Sequence, residues 1–277
     1  MTTKTAIITG ASSGIGEATA RRLLGLGYTV YGGARRLDRM ALLAESGIRP
    51  VKVDVTDDDA MVRFVDQVIS ETGRVDVLVN NAGYGSYGSL EDMPMSEARR
   101  QFDVNVFGLA RLTQLVLPVM RAQHRGYIIN ISSMGGKIHM PLGDWYHSTK
   151  FAVEGLSDAL RMELAPFGIH VVVIEPGAIK TEWSGIAADN MVAVSGQGAY
   201  ANQVAKMAGI LGSGKGGTLR GSSPDVVAAA VARALSARRP RTRYVVGMGA
   251  RPMLLARRLL SDRGFDRLIT LAVRASS

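Results

Sequence analysis

Short apolar runs alternate along the chain with longer stretches whose apolar positions recur at helical spacing, the pattern of buried strands separated by helices. Lys4 to Thr9 reads as a first strand, followed by Thr9-Gly10-Ala11-Ser12-Ser13-Gly14-Ile15-Gly16 and a helix marked by Ala18, Ala20, Leu23 and Leu24. Gly27 closes that helix before a second strand, Tyr28 to Tyr31. Further strands are read at Pro50 to Val55, Arg74 to Val79, Gly126 to Ile131, Ile169 to Ile174 and Thr242 to Val246. Between them fall helices from a Thr56 cap to Glu71, from Ser96 to Gln123 with Pro118 late in it, through Phe151 to Leu164, and from Pro224 to about Arg238. Strands that alternate with helices in this way predict an α/β fold, a doubly wound parallel sheet of about seven strands with helices on both faces, in a single domain. From Trp183 to Ser223 the periodicity fades, and residues 183–223 read as a substrate lid over the main body, 1–249. Gly209 to Lys215 matches G-x-x-x-x-G-K, but Gly216 stands where Ser or Thr is needed and no strand precedes it, so a P-loop is rejected.

The composition narrows the class. A chain of 277 residues with 47% apolar side chains can bury a large core. It has no cysteine, which excludes disulfides and thiolate chemistry, and its four histidines lack ligand spacing, so no metal site is expected. No apolar stretch has the length of a bilayer span and no signal segment is read, so a cytoplasmic location is expected. The net charge of +9 lies entirely at the end: the last 45 residues hold 11 Arg against 2 Asp. Residues 250–277 form a basic tail of one or two amphipathic helices, broken near Gly264. Two readings of the tail stay open, packing on the body or on a sister subunit, and peripheral contact with a membrane surface. Nucleic-acid binding is not expected, because the tail lacks interleaved aromatics and a recognised module.

The loops after the strands carry the chemistry. Glycines between a first strand and its helix let the backbone approach a phosphate, which the helix N-terminus attracts, although tight turns use glycine without any ligand. At the end of the second strand stand Arg35 and Arg36, with no acid before Asp38. In a dinucleotide fold an acid there binds the ribose 2′-hydroxyl and an Arg accommodates a 2′-phosphate, which favours NADP over NAD. Asp54-Val55 could border an adenine, and Asn80-Asn81-Ala82-Gly83 suits a crevice or an ordinary turn. Asn105 lies within an apolar helix, where an amide needs a reason. Tyr146 and Lys150 stand one helical turn apart, so an ammonium can meet a phenol and lower its pKa from about 10 toward the working pH.

Taken together, Gly10/Gly14/Gly16, Asn80 to Gly83, Asn105, Ser133, Tyr146 with Lys150, and Pro176-Gly177 with Thr181 resemble the short-chain dehydrogenase/reductase family over about residues 4 to 247. The resemblance implies a Rossmann-type sheet, a nicotinamide cofactor and interconversion of alcohols and carbonyls. It implies Tyr146 as general acid/base, Lys150 tuning it and holding the nicotinamide ribose, Ser133 orienting the substrate oxygen, and Asn105 holding a water for proton resupply. Gly10, Ser12, Ser13, Gly14, Ile15 and Gly16 would hold the pyrophosphate and adenosine phosphates. Asn81, Ala82 and Gly83, with Pro176, Gly177, Ile179 and Thr181, would complete the cofactor site. Many NADP-dependent members carry a basic residue where this chain has Ser13, so Arg35 and Arg36 must carry the 2′-phosphate alone. Similar tails in relatives acting on lipids point to a hydrophobic substrate: a keto-lipid, a steroid-like or a retinoid-like compound. A homodimer or homotetramer is expected. The rival class is a non-catalytic NADP-sensing regulator on the same fold, which has no need of the intact proton-transfer set.

Overall fold

In the computed structural model, which describes residues 3–212 and 221–275, alternate residues of each strand enter opposite layers of core. The elements of the first half are β1 (Thr5–Thr9), α1 (Gly14–Gly25), β2 (Thr29–Ala34), α2 (Ala41–Glu45), β3 (Arg49–Lys52), α3 (Asp58–Thr72), β4 (Val77–Asn80), α4 (Met95–Phe102) and α5 (Gly108–Ala122). The second half adds β5 (Gly126–Ile131), α6 (Asp144–Leu164), β6 (Ile169–Pro176), α7 (Trp183–Ser195), α8 (Ala201–Leu211), α9 (Asp225–Ser236), β7 (Arg243–Val246), α10 (Ala250–Leu259) and α11 (Asp262–Ala275). Ile8, Val79, Ile129 and Val172 face one layer, closed by Ala20 and Leu23 of α1 and by Val227 and Val231 of α9. Ile7, Leu78, Ile128 and Val171 face the other, closed by Phe64 and Val68 of α3, Leu112 and Val116 of α5 and Leu164 of α6. Burial on both faces is why the strands read as continuous apolar runs.

The sheet has seven parallel strands in the order β3-β2-β1-β4-β5-β6-β7, so the α/β doubly wound fold is as expected. The order reverses at β1, which lies between β2 and β4. Such a reversal opens a crevice at the carboxyl ends of those strands.

Several boundaries differ from the sequence reading. β3 ends at Lys52, so Asp54 and Val55 belong to the loop beyond it. The α3 cap is Asp57, which accepts from the Ala60 amide at 3.0 Å, whereas the Thr56 hydroxyl donates to Asp54 at 2.9 Å. The stretch from Met95 to Ala122 is helical throughout but widens to a π turn over Asp103–Phe107. By length and composition this helix could cross a bilayer, contrary to the sequence reading; here its Leu112, Val116 and Met120 face lies in the core. Most of the lid is helical, as α7 and α8. Gly209 lies within α8, and residues 213–215 of the rejected P-loop match fall outside the described residues. The tail breaks at Leu260 and Ser261, and Gly264 sits inside α11.

Candidate active site

One cleft of about 1200 Å3 runs along the carboxyl ends of the strands. At its β1 end, Gly10 and Gly14 have φ of +65° and +56°, values that L side chains rarely adopt. Ser13 caps α1 without spending its hydroxyl on the cap, so the helix N-terminal amides stay available beside Ser12, Ser13, Gly14 and Ile15 on the cleft wall. Gly16 does not line the cleft. A Cβ there would lie 2.2 Å from the Gly10 carbonyl oxygen and 2.6 Å from Asn81 Nδ2, so this glycine serves close packing beneath the turn. Asn81 ties the turn to β4: its Nδ2 donates to the carbonyls of Thr9 at 2.9 Å and Gly10 at 3.2 Å. Thr9, missed in the sequence, accepts the amides of Asn81 and Ala82 on its Oγ1 at 3.0 and 2.9 Å. Only the fold could show this, because a Thr at a strand end has many uses.

Arg35 and Arg36 follow β2, exposed on the same cleft, with Asp54, Val55, Ala82 and Gly83 lining its floor. Neighbouring Arg39 reaches across to Glu182 in two contacts of 2.6 and 2.9 Å, linking the β2 end to the start of α7. Pro176, Gly177, Ile179 and Thr181 line the opposite wall, and a Cβ on Gly14 would meet Thr181 Cγ2 at 3.0 Å. Positive φ, helix amides, paired arginines and tight glycine contacts together fit a dinucleotide carrying phosphates.

The middle of the cleft gathers Ser133, Tyr146 and Lys150. Ser133 follows β5, and its hydroxyl lies toward that of Tyr146, an influence that favours the phenolate. Burial outweighs this effect and pushes the Tyr146 phenol up to about 12. The lowering by Lys150 expected from the sequence is not among the influences on this phenol. Lys150 Nζ, 6.0 Å from the Tyr146 ring centre, donates to the Ile131 carbonyl at 3.0 Å. Burial brings that ammonium down to about 8, opposed by the charge of Glu154.

Asn105, buried in the π turn, stands outside the cleft lining and bridges two of its walls. Its Nδ2 donates to the Tyr84 carbonyl at 2.9 Å and to Thr149 Oγ1 at 3.0 Å, while its Oδ1 accepts from the Tyr84 amide at 3.0 Å. The amide thus joins the Gly83 loop to the helical turn that carries Tyr146. His147 was not singled out from sequence. Its Nε2 accepts the Met140 amide at 3.0 Å, so Nδ1 carries the proton and donates to the Gly135 carbonyl at 2.9 Å. Burial lowers its pKa, in keeping with this neutral form, which pins the loop after Ser133 to α6.

Beyond Tyr146 the walls turn apolar. The ring of Trp183 of α7 lies tilted 5.0 Å from that of Tyr146, and Tyr87 lies 5.6 Å from it. Met140, Ile186 and Val194 line this end, joined by Ile269, Ala272 and Val273 of the tail. Phe265 and Ile269 anchor α11 in a cluster with Ile138, so the tail's inner face forms part of the cleft. Among the described residues no His, Asp or Glu cluster could hold a metal.

The short chain dehydrogenase family model matches residues 4–191. A 3-ketodihydrosphingosine reductase from Bacteroides thetaiotaomicron is 45% identical over 175 residues, 63% of this chain and 64% of that protein. An NADPH-dependent 3-dehydrocapnine reductase from Ornithobacterium rhinotracheale is 34% identical over 274 residues, 95% of each chain. The crystal structure of a short-chain dehydrogenase from Streptomyces avermitilis superposes with a TM-score of 0.81 at 34% identity, covering 100% of this chain and 99% of that one. With its Rossmann-type sheet and glycine-lined cleft, the chain belongs to the short-chain dehydrogenase/reductase family and is an NAD(P)-dependent oxidoreductase.

Proposed function

We propose that the protein reduces a hydrophobic ketone of the keto-lipid class with NADPH, and that the same site oxidises the corresponding alcohol in reverse. The observation that carries this reading is the apolar end of the cleft, where Trp183, Ile186 and Val273 continue directly from the hydroxyls of Tyr146 and Ser133. Two relatives named for 3-keto and 3-dehydro substrates support it. When bound, the dinucleotide supplies or accepts the hydride. Tyr146 Oη gives its proton to the carbonyl oxygen, and Ser133 Oγ orients that oxygen. Lys150 steadies the phenolate left behind and anchors the nicotinamide ribose. Asn105 Oδ1, with one lone pair beyond its Tyr84 bond, holds a water for proton resupply. The glycine turn and the N-terminus of α1 would hold the pyrophosphate, and Arg35, with Arg36, would take the 2′-phosphate.

The test measures reduction of 3-keto compounds of increasing chain length with each cofactor. Longer chains are expected to raise kcat/KM, with NADPH preferred, and Arg35→Ala is expected to raise KM for NADPH about tenfold or more with little change for NADH. Equal effects on both cofactors would remove the NADP assignment, and a preference for short polar ketones would remove the substrate class.

A cytoplasmic enzyme that touches membranes peripherally suits such a substrate. The outer face of the tail exposes Leu255, Leu259 and Leu271 among Arg258, Arg263 and Arg267, a pairing suited to an anionic lipid surface. The protein is expected to float with anionic liposomes at low salt, and Leu255→Glu/Leu259→Glu is expected to stay in solution while the buried Phe265 face is kept. Wild-type protein that fails to float would remove this contact. We further propose a homodimer or larger homo-oligomer through Phe107, Phe151 and Met162, which are exposed; a monomer mass in sedimentation would exclude it.

A further inference from the structure

Tyr146, Lys150 and Glu154 follow one another at single-turn spacing on α6, so the third residue of the row stands behind the catalytic pair. Glu154 is buried at 3% exposure and faces Glu175 of β6, itself 2% exposed and one residue before Pro176 of the cleft wall. Arg243 of β7 bonds Glu154 Oε2 at 3.0 Å and turns its other arm to Asp158 at 2.7 Å. Lys137, from the loop after Ser133, reaches the same Glu154 oxygen at 3.2 Å. Arg161 pairs with Asp158 on its outer side. Arg243 Nε passes 3.3 Å from Glu175 Oε1 without completing a hydrogen bond. Glu154 Oε1, Glu175 Oε1 and the nearby Ser132 Oγ are buried and without a donor or acceptor.

An unpaired buried carboxylate is expensive, and Lys137 and Arg243 already share their charge among Glu154, Asp158 and Glu175. One proton between the two glutamates gives both stranded oxygens a partner at the cost of a single charge. The Glu175 acid is pushed up to about 7, first by burial and then by the charge of Glu154.

We propose that Glu154 and Glu175 share one proton and release it to increase the negative charge behind Lys150, so that the ammonium stays charged while Tyr146 works. Release breaks one carboxyl O–H bond, passes the proton to solvent and leaves two carboxylates, and no electron moves. The pair is a positioning device that acts through Lys150, because neither glutamate lines the cleft. Glu154 is the charge that favours the Lys150 ammonium, so release of the shared proton leaves Glu154 fully ionised behind it in the range, near pH 8, where Lys150 would lose its charge. This inference rests on Lys150 serving Tyr146; the shared proton itself does not.

Infrared difference spectra of protein carrying labelled glutamate test the proton directly. A protonated carboxyl band is expected in the wild type at about pH 6 and is expected to be lost by about pH 8. It should be absent in Glu175→Gln and, in Glu154→Gln, where Glu175 stays buried without a second glutamate, it should be lost at a lower pH than in the wild type. In the reductive pH profile of kcat, Glu175→Gln is expected to move the alkaline limb about one unit toward lower pH, a tenfold loss at a fixed pH on that limb. A wild type with no titrating carboxyl band overturns the shared proton, whatever the enzyme does. With the band present, a folded Glu175→Gln that loses rate equally at every pH overturns the link to Lys150.

Discussion

Replacing Tyr146 by Phe is expected to lower kcat for ketone reduction by about a hundred- to ten-thousand-fold, the range that a positioned general acid contributes. The ring stays, and with it the packing on Tyr87 and Trp183, so the dissociation constant for NADPH should change by less than about threefold. The pH dependence follows from the two shifts with their signs. Burial raises the phenol to about 12, so Tyr146 carries its proton throughout the neutral range and stands ready as an acid. Reduction should therefore be flat through neutrality and fall above about pH 8, as the buried Lys150 loses its charge. Alcohol oxidation needs the phenolate and should rise with pH. More than about a tenth of the wild-type rate in Tyr146→Phe, with the fold intact by circular dichroism, would contradict the acid/base assignment.

Gly16→Ala is expected to weaken NADPH binding by about tenfold or more and to lower thermal stability, although Gly16 touches no cleft. Its added carbon would lie 2.2 Å from the Gly10 carbonyl oxygen, closer than such contacts allow. The turn must move into the cleft, straining the Asn81 bond to Gly10. Overpacking of this kind costs about 1–3 kcal/mol, and about 1.4 kcal/mol is a factor of ten in binding. Gly25→Ala, at the end of the same helix with nothing within 4 Å, is the control and should be neutral or slightly stabilising. Unchanged titration calorimetry of NADPH on Gly16→Ala would mean that the turn does not hold the dinucleotide as proposed.

The sheet was legible because both of its faces are buried, which leaves unbroken apolar runs, and because turns such as Gly10 to Gly16, Asn81 to Gly83 and Gly177 punctuate them with glycine or amide residues. The row of Tyr146 and Lys150 was legible because helical spacing alone puts them on one face. What escaped depends on contacts between distant segments. Thr56 and Asp57 are both capping residues, and only the Thr56 bond to Asp54 shows which one is free to cap. α7 hid because apolar side chains surround it: Ala187, Ala188 and Met191 are buried while Ile186 and Val192 are exposed. The tail read as basic and amphipathic, but that its Phe265 face closes the cleft follows only from the position of Ile138. The direction of the Tyr146 shift escaped for the same reason, since burial is a property of the fold and here outweighs the Ser133 hydroxyl. Glu154 and Glu175 are 21 residues apart and look like ordinary helix and strand-end acids until the sheet sets them face to face.

α7 and α11 explain why the two ends of one cleft differ so sharply. Arginines and helix amides stand at the β1 and β2 end, and side chains from α7 and α11 enclose the apolar end. Tyr146, the proposed proton donor, lies between the two. The most direct measurement supplies NADPH deuterated at the transferring position together with a long-chain 3-keto compound, and reads the alcohol by mass spectrometry. The account predicts one deuterium on the new carbinol carbon in the wild type and no labelled alcohol above background in Tyr146→Phe. Wild-type enzyme that binds NADPH and yields no labelled alcohol across the chain-length series would contradict it.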